Sequence, residues 1–535
     1  MSGRRLTPRG TFNRWGAWIV LLLLASLARL PAADWDAGIA AHPDERFLLG
    51  VAQATPLWGD PCAASPDFPY GHLPVLLGRL LVLAAPSADP LFAARLLSAL
   101  VGILLVAITG ALGRELAGTR GALVAAAVMA LAPFLIQQAR FFTVDPWGAA
   151  FASAALLVGM RRRWLAAGAL AGGAVACKLS LAWVGLPLLL AAFAGRRWHG
   201  VGRLLAGGAL AFALAAPWAI LRPVACWRGP LAQAGLVAGR YVVPYTKQYA
   251  GTRPFSYPLA QMAGWGLGPA AVLAGGVALG FVVWHWRQLE QPARLLWGWT
   301  VLYFVVTAGL YVKFPRYLLP IYPAWAAWAA WLVRRSPWGR GLLVGLTALL
   351  GLAQLAIHGQ PHPWEVASRV IYAQVPEGAI VAVELWDHAL PVPLPGHASD
   401  GYRVLTLPVF DDETAEKAAE LARAAEEADV IVLASRRGYG ALARQPERYA
   451  ETLAWYRQML VERDAVIIAR CPRLGPVALV DAPLQDAGLP VPDTLAARCS
   501  APLAWRWPGL DESFRVYDAP TVVLLFHTES RPRSP

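Results

Sequence analysis

Long apolar runs fill the first 358 residues, and short alternating segments fill the remainder. A membrane span needs about 20 apolar residues, and the pattern predicts segments of this kind near 15–31, 91–112, 119–137, 146–160, 164–177, 179–194, 202–221, 263–284, 294–312, 317–333 and 340–358. The stretch 164–194 has a single charge, Lys178. It reads as one long tilted helix or as two short spans with Lys178 at an outer tip, and the second is preferred because it alone keeps the later Arg-rich loops inside. Beyond Gly359 the apolar runs shrink to strand length. Ala379–Leu385, Arg403–Val409, Asp429–Ala434 and Ala465–Ala469 are expected as strands, with Asp412–Ala428 and Pro446–Val461 as helices between them. Val516–Tyr517 and Val522–Phe526 are expected to pair as a closing hairpin. The expected fold class is a polytopic α-helical membrane protein with about 11 transmembrane helices over residues 1–358, followed by a C-terminal extracytoplasmic α/β domain over 359–535.

Charge orients these segments. The chain has 47 basic and 34 acidic residues, a net charge of +13, yet only 15% of its residues are charged. About 25% is usual for a soluble chain. Residues 1–358 hold 30 basic and 10 acidic residues, and 359–535 hold 17 and 24. Arg4, Arg5, Arg9 and Arg14 precede the first span, which places the N-terminus in the cytoplasm. Alternation then puts the loops bearing Arg161–Arg163, Arg287/Arg294 and Arg334/Arg335 inside, and the C-terminal domain outside, a multi-pass inner-membrane topology. The basic residues punctuate apolar segments instead of lining one soluble face, which argues against a nucleic-acid partner and for membrane lipids. The first span also has the Arg-rich start and small residues of a signal peptide, but with ten spans after it the uncleaved reading is preferred. The five cysteines show no metal-ligand spacing. Cys471 with Cys499, and Cys62 with Cys226, are candidate disulfides on the outer side, with free thiols as the alternative.

Candidate chemistry gathers on the outer face. The first outer loop, residues 32–90, is too long for a simple connection and holds seven of the ten acids of the first 358 residues. Such loops are functional or disordered, and its apolar groups argue for order, with Leu73–Ala85 as an interfacial helix. His42-Pro43-Asp44-Glu45 opens a helical stretch there. Asp44 and Glu45 read either as an N-cap with an acid on the helix dipole or as a carboxylate pair able to take a proton from a hydroxyl. Arg140 and Asp145-Pro146 repeat the choice between a helix start and charges that are expensive at this depth unless used. Lys313-Phe314-Pro315-Arg316 reads as snorkelling side chains or as an anion site. Acids and cations on one membrane face suit a transferase with a phosphate-linked lipid donor. A transporter or flippase of an anionic substrate and an inactive scaffold are the rival classes. Transporters usually show repeated halves and midplane binding groups, and neither pattern is present in the sequence.

The motifs together resemble the GT-C membrane glycosyltransferases, and within them glycosyltransferase family 39, which includes protein O-mannosyltransferases and the lipid A aminoarabinose transferase. The residues that carry the likeness are His42-Pro43-Asp44-Glu45, Arg140-Phe-Phe-Thr-Val-Asp145-Pro, Lys178 and Lys313-Phe-Pro-Arg-Tyr-Leu-Leu-Pro, in that order over about 320 residues. The outer domain resembles those of bacterial members at Glu384-Leu-Trp-Asp387, Ala428–Ser435 and Asp511–Asp518. The resemblance implies inverting transfer of a sugar from a polyprenyl-phosphate carrier to a hydroxyl of a lipid, glycan or protein acceptor. It implies Asp44 as general base, Glu45 orienting a substrate and Asp145 supporting the site. Arg140, Lys178, Lys313 and Arg316 would neutralise the donor phosphate. His42, Glu384, Trp386 and Asp387 are acceptor candidates, with a core or turn role as the alternative for the last three. No cofactor is certain; a divalent cation, if used, would sit on Asp44 and Asp145.

Overall fold

The computed structural model describes residues 8–31, 33–194, 198–474, 476–492, 502–507 and 509–527. The chain forms two compact units. One comprises Met1–Ala33, His42–Ala238 and Pro254–Leu352, and the other Asp34–Ala41, Gly239–Arg253 and Ala353–Pro535. The second unit therefore takes two segments that a single boundary at residue 359 leaves with the first. Arg470 explains one of them, because its buried guanidinium donates to the Trp35 carbonyl at 3.1 Å and the Pro361 carbonyl at 2.9 Å. Lys247 anchors the other, donating to the Phe410 carbonyl at 2.6 Å.

The first unit is helical. Each expected span falls on helix, but many of the helices are interrupted. Among the described residues, the helical runs Pro90–Leu131 and Pro337–Gln374 are long and apolar enough to cross a membrane, and six further apolar helices are shorter. Local chemistry sets the breaks. Asp89 caps the first long helix, its Oδ1 accepting from the Leu91 amide at 2.9 Å, with Pro90 at the first position. Gly118 then interrupts it at φ +68, a conformation open to glycine, and the two arms fold against each other. Helix Trp164–Cys177 stops at Lys178, whose backbone is extended, and the chain continues as a 3₁₀ turn, Leu179–Val184, and helix Gly185–Phe193. Small residues allow close crossings: a Cβ on Gly168 would fall 1.9 Å from the Leu204 carbonyl of helix Trp198–Ala215. Trp299, Tyr303, Tyr322 and Trp328 fill the interior, whereas Leu104, Leu214, Leu273, Val277 and Leu342 face outward. An outer surface of that kind is stable against lipid tails and not against water.

The second unit is built on β1 (Ile380–Glu384), β2 (Arg403–Leu407), β3 (Val430–Leu433), β4 (Asp464–Ile468), β5 (Arg473–Leu474), β6 (Val477–Val480), β7 (Leu503–Arg506) and β8 (Val522–Phe526). The main sheet runs β2-β1-β3-β8-β4, with β1 parallel to β2 and β3, and β8 antiparallel to both β3 and β4. Helices Ala415–Glu427 and Ala450–Glu462 lie where the periodicity predicts them. The closing hairpin is a correction. Val516 and Tyr517 lie in a turn, and Val522–Phe526 enters the middle of the sheet, where all five of its residues are buried. A strand buried on both faces reads as a continuous apolar run, and this one also has a strand partner on each edge. The smaller sheet, β5-β6-β7, was not anticipated.

Candidate active site

The first outer loop folds into three helices: Pro43–Ala54, Pro61–Ala64 and His72–Ala84. His42, not Asp44, caps the first. Its Nδ1 accepts from the Asp44 amide at 3.2 Å, and Pro43 takes the first helical position. Burial holds the His42 imidazole neutral, down to about 3, as an accepting Nδ1 requires, and Phe141 packs on its ring at 4.7 Å. Asp145 is likewise one residue inside its helix, Val144–Met160, whose N-cap is Thr143. Both aspartates are thus relieved of capping, and their carboxylates point elsewhere.

They point at one another's counter-ions. Arg316 Nη1 donates to Asp44 Oδ2 at 2.6 Å, and its Nε lies 3.9 Å from Asp145 Oδ2. Lys178 Nζ donates to Asp145 Oδ1 at 2.6 Å and stands 4.1 Å from the centre of the Tyr317 ring. The result is an alternating row, Asp44–Arg316–Asp145–Lys178, assembled from four separate segments. Two phenols frame it. Tyr70 donates a side-chain hydrogen bond to Asp44, and Gln233 donates to the Tyr317 hydroxyl at 3.4 Å. Burial would raise the Asp44 carboxyl, but Arg316 first, and then the Tyr70 hydroxyl, outweigh it and hold the group below the usual carboxylate range. It is ionised at neutral pH.

The loop reaches Lys178 through a close backbone approach. The Gly71 amide donates to the Cys177 carbonyl at 3.1 Å, and a Cβ at this position would fall 2.0 Å from the Ala176 carbonyl oxygen. Only glycine fits. The loop is further tied to helix Pro223–Val237 by the Cys62–Cys226 disulfide and by the ion pairs Asp60–Arg222 at 2.6 Å and Asp67–Arg228. Of the two candidate disulfides, this one is present; Cys499 lies outside the described residues.

Other sequence candidates take different surroundings. Glu45 is fully buried, its carboxylate held by Arg95 Nε at 3.0 Å, Arg95 Nη2 at 2.8 Å and the Phe142 amide at 2.8 Å. That is a clamp between the loop, the helix starting at Pro90 and the segment before Asp145. Arg140 donates to the Ala28 carbonyl at 3.0 Å, and Lys313 to the Tyr311 carbonyl at 2.9 Å. Glu384, Trp386 and Asp387 belong to the second unit. Sequence reasoning missed Tyr70, Gly71, Gln233 and Arg95. Arg95 alone left a signal, being a charge five residues into a long helix whose next charge is Arg114.

Asp44 and Asp145, the carboxylates a dication would use, are paired in this structure with Arg316 and Lys178 at 2.6 Å, so a bound ion would share them with those cations or displace them. Among the described residues one group of three His, Cys or acidic side chains has metal-holding spacing, Cys62–His72–Cys226, and its two sulfurs are bonded to each other.

Residues 82–221 match the model of the family described as dolichyl-phosphate-mannose-protein mannosyltransferase. The chain resembles the GT-C glycosyltransferases. Among solved structures, the apo oligosaccharyltransferase of Archaeoglobus fulgidus is similar at 15% identity and a TM-score of 0.52, covering 83% of this chain and 72% of that one. The same enzyme tethered to an acceptor peptide matches at 14% identity and a TM-score of 0.50, with the same coverage. ArnT from Cupriavidus metallidurans bound to undecaprenyl phosphate shares 20% identity at a TM-score of 0.47 over 66% of this chain. The chain spans 65% of the length of ArnT, just under two thirds. No curated protein matches the sequence. The oligosaccharyltransferase likeness is one of fold, a helical membrane domain with a sheet-containing C-terminal domain.

Proposed function

We infer that the protein is a membrane glycosyltransferase that moves a sugar from a polyprenyl-phosphate carrier to an acceptor hydroxyl on the outer membrane face, with inversion. The observation that carries this reading is the row Asp44–Arg316–Asp145–Lys178, which supplies a base and two phosphate-binding cations at one place. Asp44 is the general base. It is ionised and is held in place by hydrogen bonds from Arg316 and Tyr70. As the acceptor oxygen attacks the anomeric carbon, Asp44 takes its proton, and the bond to the carrier phosphate breaks with its electrons moving onto that phosphate. Arg316 and Lys178 face the developing charge, where fixed cations in a poorly hydrated site are most effective. Arg140 and Lys313 are proposed as more distant members of the same anion field, and His42 as a positioning residue for the Asp44 turn. No step is routed through a metal ion.

Donor binding and base strength are coupled in this arrangement. A phosphate that draws Arg316 away from Asp44 removes the main influence holding that carboxyl low. The base becomes stronger once the donor is seated. The outward direction of the site agrees with the Cys62–Cys226 disulfide, because such bonds persist in oxidising compartments. Glu45 is assigned to positioning through Arg95, in place of the substrate-orienting role that the resemblance implies.

The test is transfer in nanodiscs from a radiolabelled polyprenyl-phosphate hexose or pentose to membrane lipid, glycan or protein. Label incorporated by the wild-type protein and absent with Asp44→Asn supports the reading. Incorporation equal in both, or in neither, overturns it.

A further inference from the structure

The second unit carries a polar cluster that the ion-pair row does not use. In the order β2-β1-β3 the chain leaves β1 for β2 on one side and returns to β3 on the other. Ligands of open α/β sheets bind in the crevice beyond the carboxyl ends of two strands related in this way. Glu384 ends β1, and Ser435 follows β3 by two residues, so both segments leave the sheet at that edge.

What stands there is unusual for a loop. Trp386 has φ +69, a conformation that a bulky side chain rarely adopts, and its indole is 51% exposed, with the Tyr245 ring 6.2 Å away. Strain of this kind clusters at ligand clamps. Asp387 Oδ2 accepts from the Ser435 hydroxyl at 2.6 Å. Arg437 donates to the Trp386 carbonyl at 3.0 Å and to Glu512 at 3.3 Å. Behind them Glu384, 3% exposed, accepts from the Tyr456 hydroxyl through one oxygen. Its other oxygen and the buried Tyr439 hydroxyl have no partner among the described residues. Native proteins leave few such groups unsatisfied, and each needs an explanation.

The charge balance selects the ligand class. Burial pushes the Glu384 carboxyl up to about 8 and Glu512 up to about 7, so Glu384 is a neutral donor at pH 7, and burial raises Asp387 too, with the Arg437 charge acting against it. A phosphate would meet carboxyls on several sides, and an ammonium would meet the guanidinium. A polyol, whose hydroxyls both donate and accept, suits the mixture.

The geometry points to a saccharide-binding site at this edge of the sheet, with Trp386 as the stacking platform and Asp387 and Arg437 as partners for the sugar hydroxyls. A pyranose presents a face of C–H bonds to the electron-rich indole. Its hydroxyls can join a carboxylate that already accepts from Ser435 and His388 and a guanidinium that donates to Trp386 and Glu512. Assigning this saccharide as the acceptor rests on the transferase reading above; the binding itself does not.

Saturation-transfer NMR on the full-length protein in nanodiscs tests it, with mannotriose, maltotriose and cellotriose at millimolar concentration as probes. At least one should receive saturation on the C–H protons of one ring face. Trp386→Ala should lower that signal at least fivefold and Trp386→Phe should retain about half, with melting temperatures unchanged. Asp387→Asn should weaken binding about threefold to tenfold. No transfer to any probe, or a signal unaffected by Trp386→Ala, overturns the site. Asp44→Asn should bind the probe as the wild type does, so loss of transfer activity and loss of saccharide binding are distinguished.

Discussion

Asp44 in the first unit and Glu384 in the second are both carboxyls drawn away from water, and their neighbours treat them oppositely. Burial works against the charged form in each case. Asp44 overcomes it because Arg316 donates to it at 2.6 Å and Tyr70 adds a second hydrogen bond. Glu384 does not, because after burial its next influence is the negative Asp387, and Arg437 is engaged with Glu512. The lesson concerns the nearest charge. A carboxyl set directly against a fixed cation stays charged and ready for chemistry with ions, whereas one whose nearest charged neighbour is another acid becomes a neutral group suited to hydrogen bonding.

The comparison can be broken at its strongest point first. Asp44→Asn should cut transfer by at least about a hundredfold while leaving folded protein in the membrane, since general-base catalysis contributes roughly 10²–10⁴-fold. Activity within about threefold of wild type would remove Asp44 from the chemistry. Glu45→Ala, one residue away, should act differently: it strands Arg95 in the interior, a loss of about 3–5 kcal/mol. Folded yield should collapse, and any surviving protein should keep its KM for donor. A well-folded but inactive Glu45→Gln protein would move Glu45 into the reaction itself.

Arg316→Ala should weaken binding of a polyprenyl phosphate by about tenfold, near 1.4 kcal/mol, with Arg316→Lys recovering only part because a point charge lacks the planar fork. Titration in nanodiscs with the free lipid phosphate reads this directly. Unchanged affinity would reassign Arg316 to pairing alone. The acidic limb of kcat should lie about one pH unit above that of kcat/KM, since kcat reports the donor-bound state, in which Asp44 has lost its main counter-ion. The two limbs should converge in Arg316→Ala.

The smallest effect belongs to the second unit. Glu384 is held protonated up to about 8 in the fold and titrates near 4.5 when unfolded. Its contribution to stability is therefore complete below 4.5 and is lost as pH rises through 8. Glu384→Gln should flatten that decline, with an apparent melting temperature roughly a few degrees above wild type at pH 9. Parallel curves for the two proteins would show that Glu384 stays ionised.

Much of this was legible in the sequence for one physical reason. Charges next to apolar helices are costly, so Asp44, Asp145, Lys178 and Arg316 stood out from a background that otherwise avoids them. Their pairing did not stand out, because Arg316 and Asp44 are 272 residues apart and nothing local links them. Both helix caps lie two residues before the expected ones, His42 for Asp44 and Thr143 for Asp145, and in the first Pro43 fixes the first helical position. Gly71 was invisible, as its role depends on the carbonyls of a helix a hundred residues later. The strand Val522–Phe526 was read correctly as a strand and wrongly as half of a hairpin, because alternation specifies a strand's faces and not its partners.

That last strand also dictates an order of events during synthesis. Until residues 522–526 emerge, β3 and β4 each present an unpaired edge, and neither can use the other because β8 must lie between them. The sheet is left as two fragments with open, strongly apolar borders, the condition under which partly made chains associate with one another. Folding of this unit is thus a late event in the making of the chain. A chain cut short by even twenty residues loses the middle of its sheet and not merely a tail.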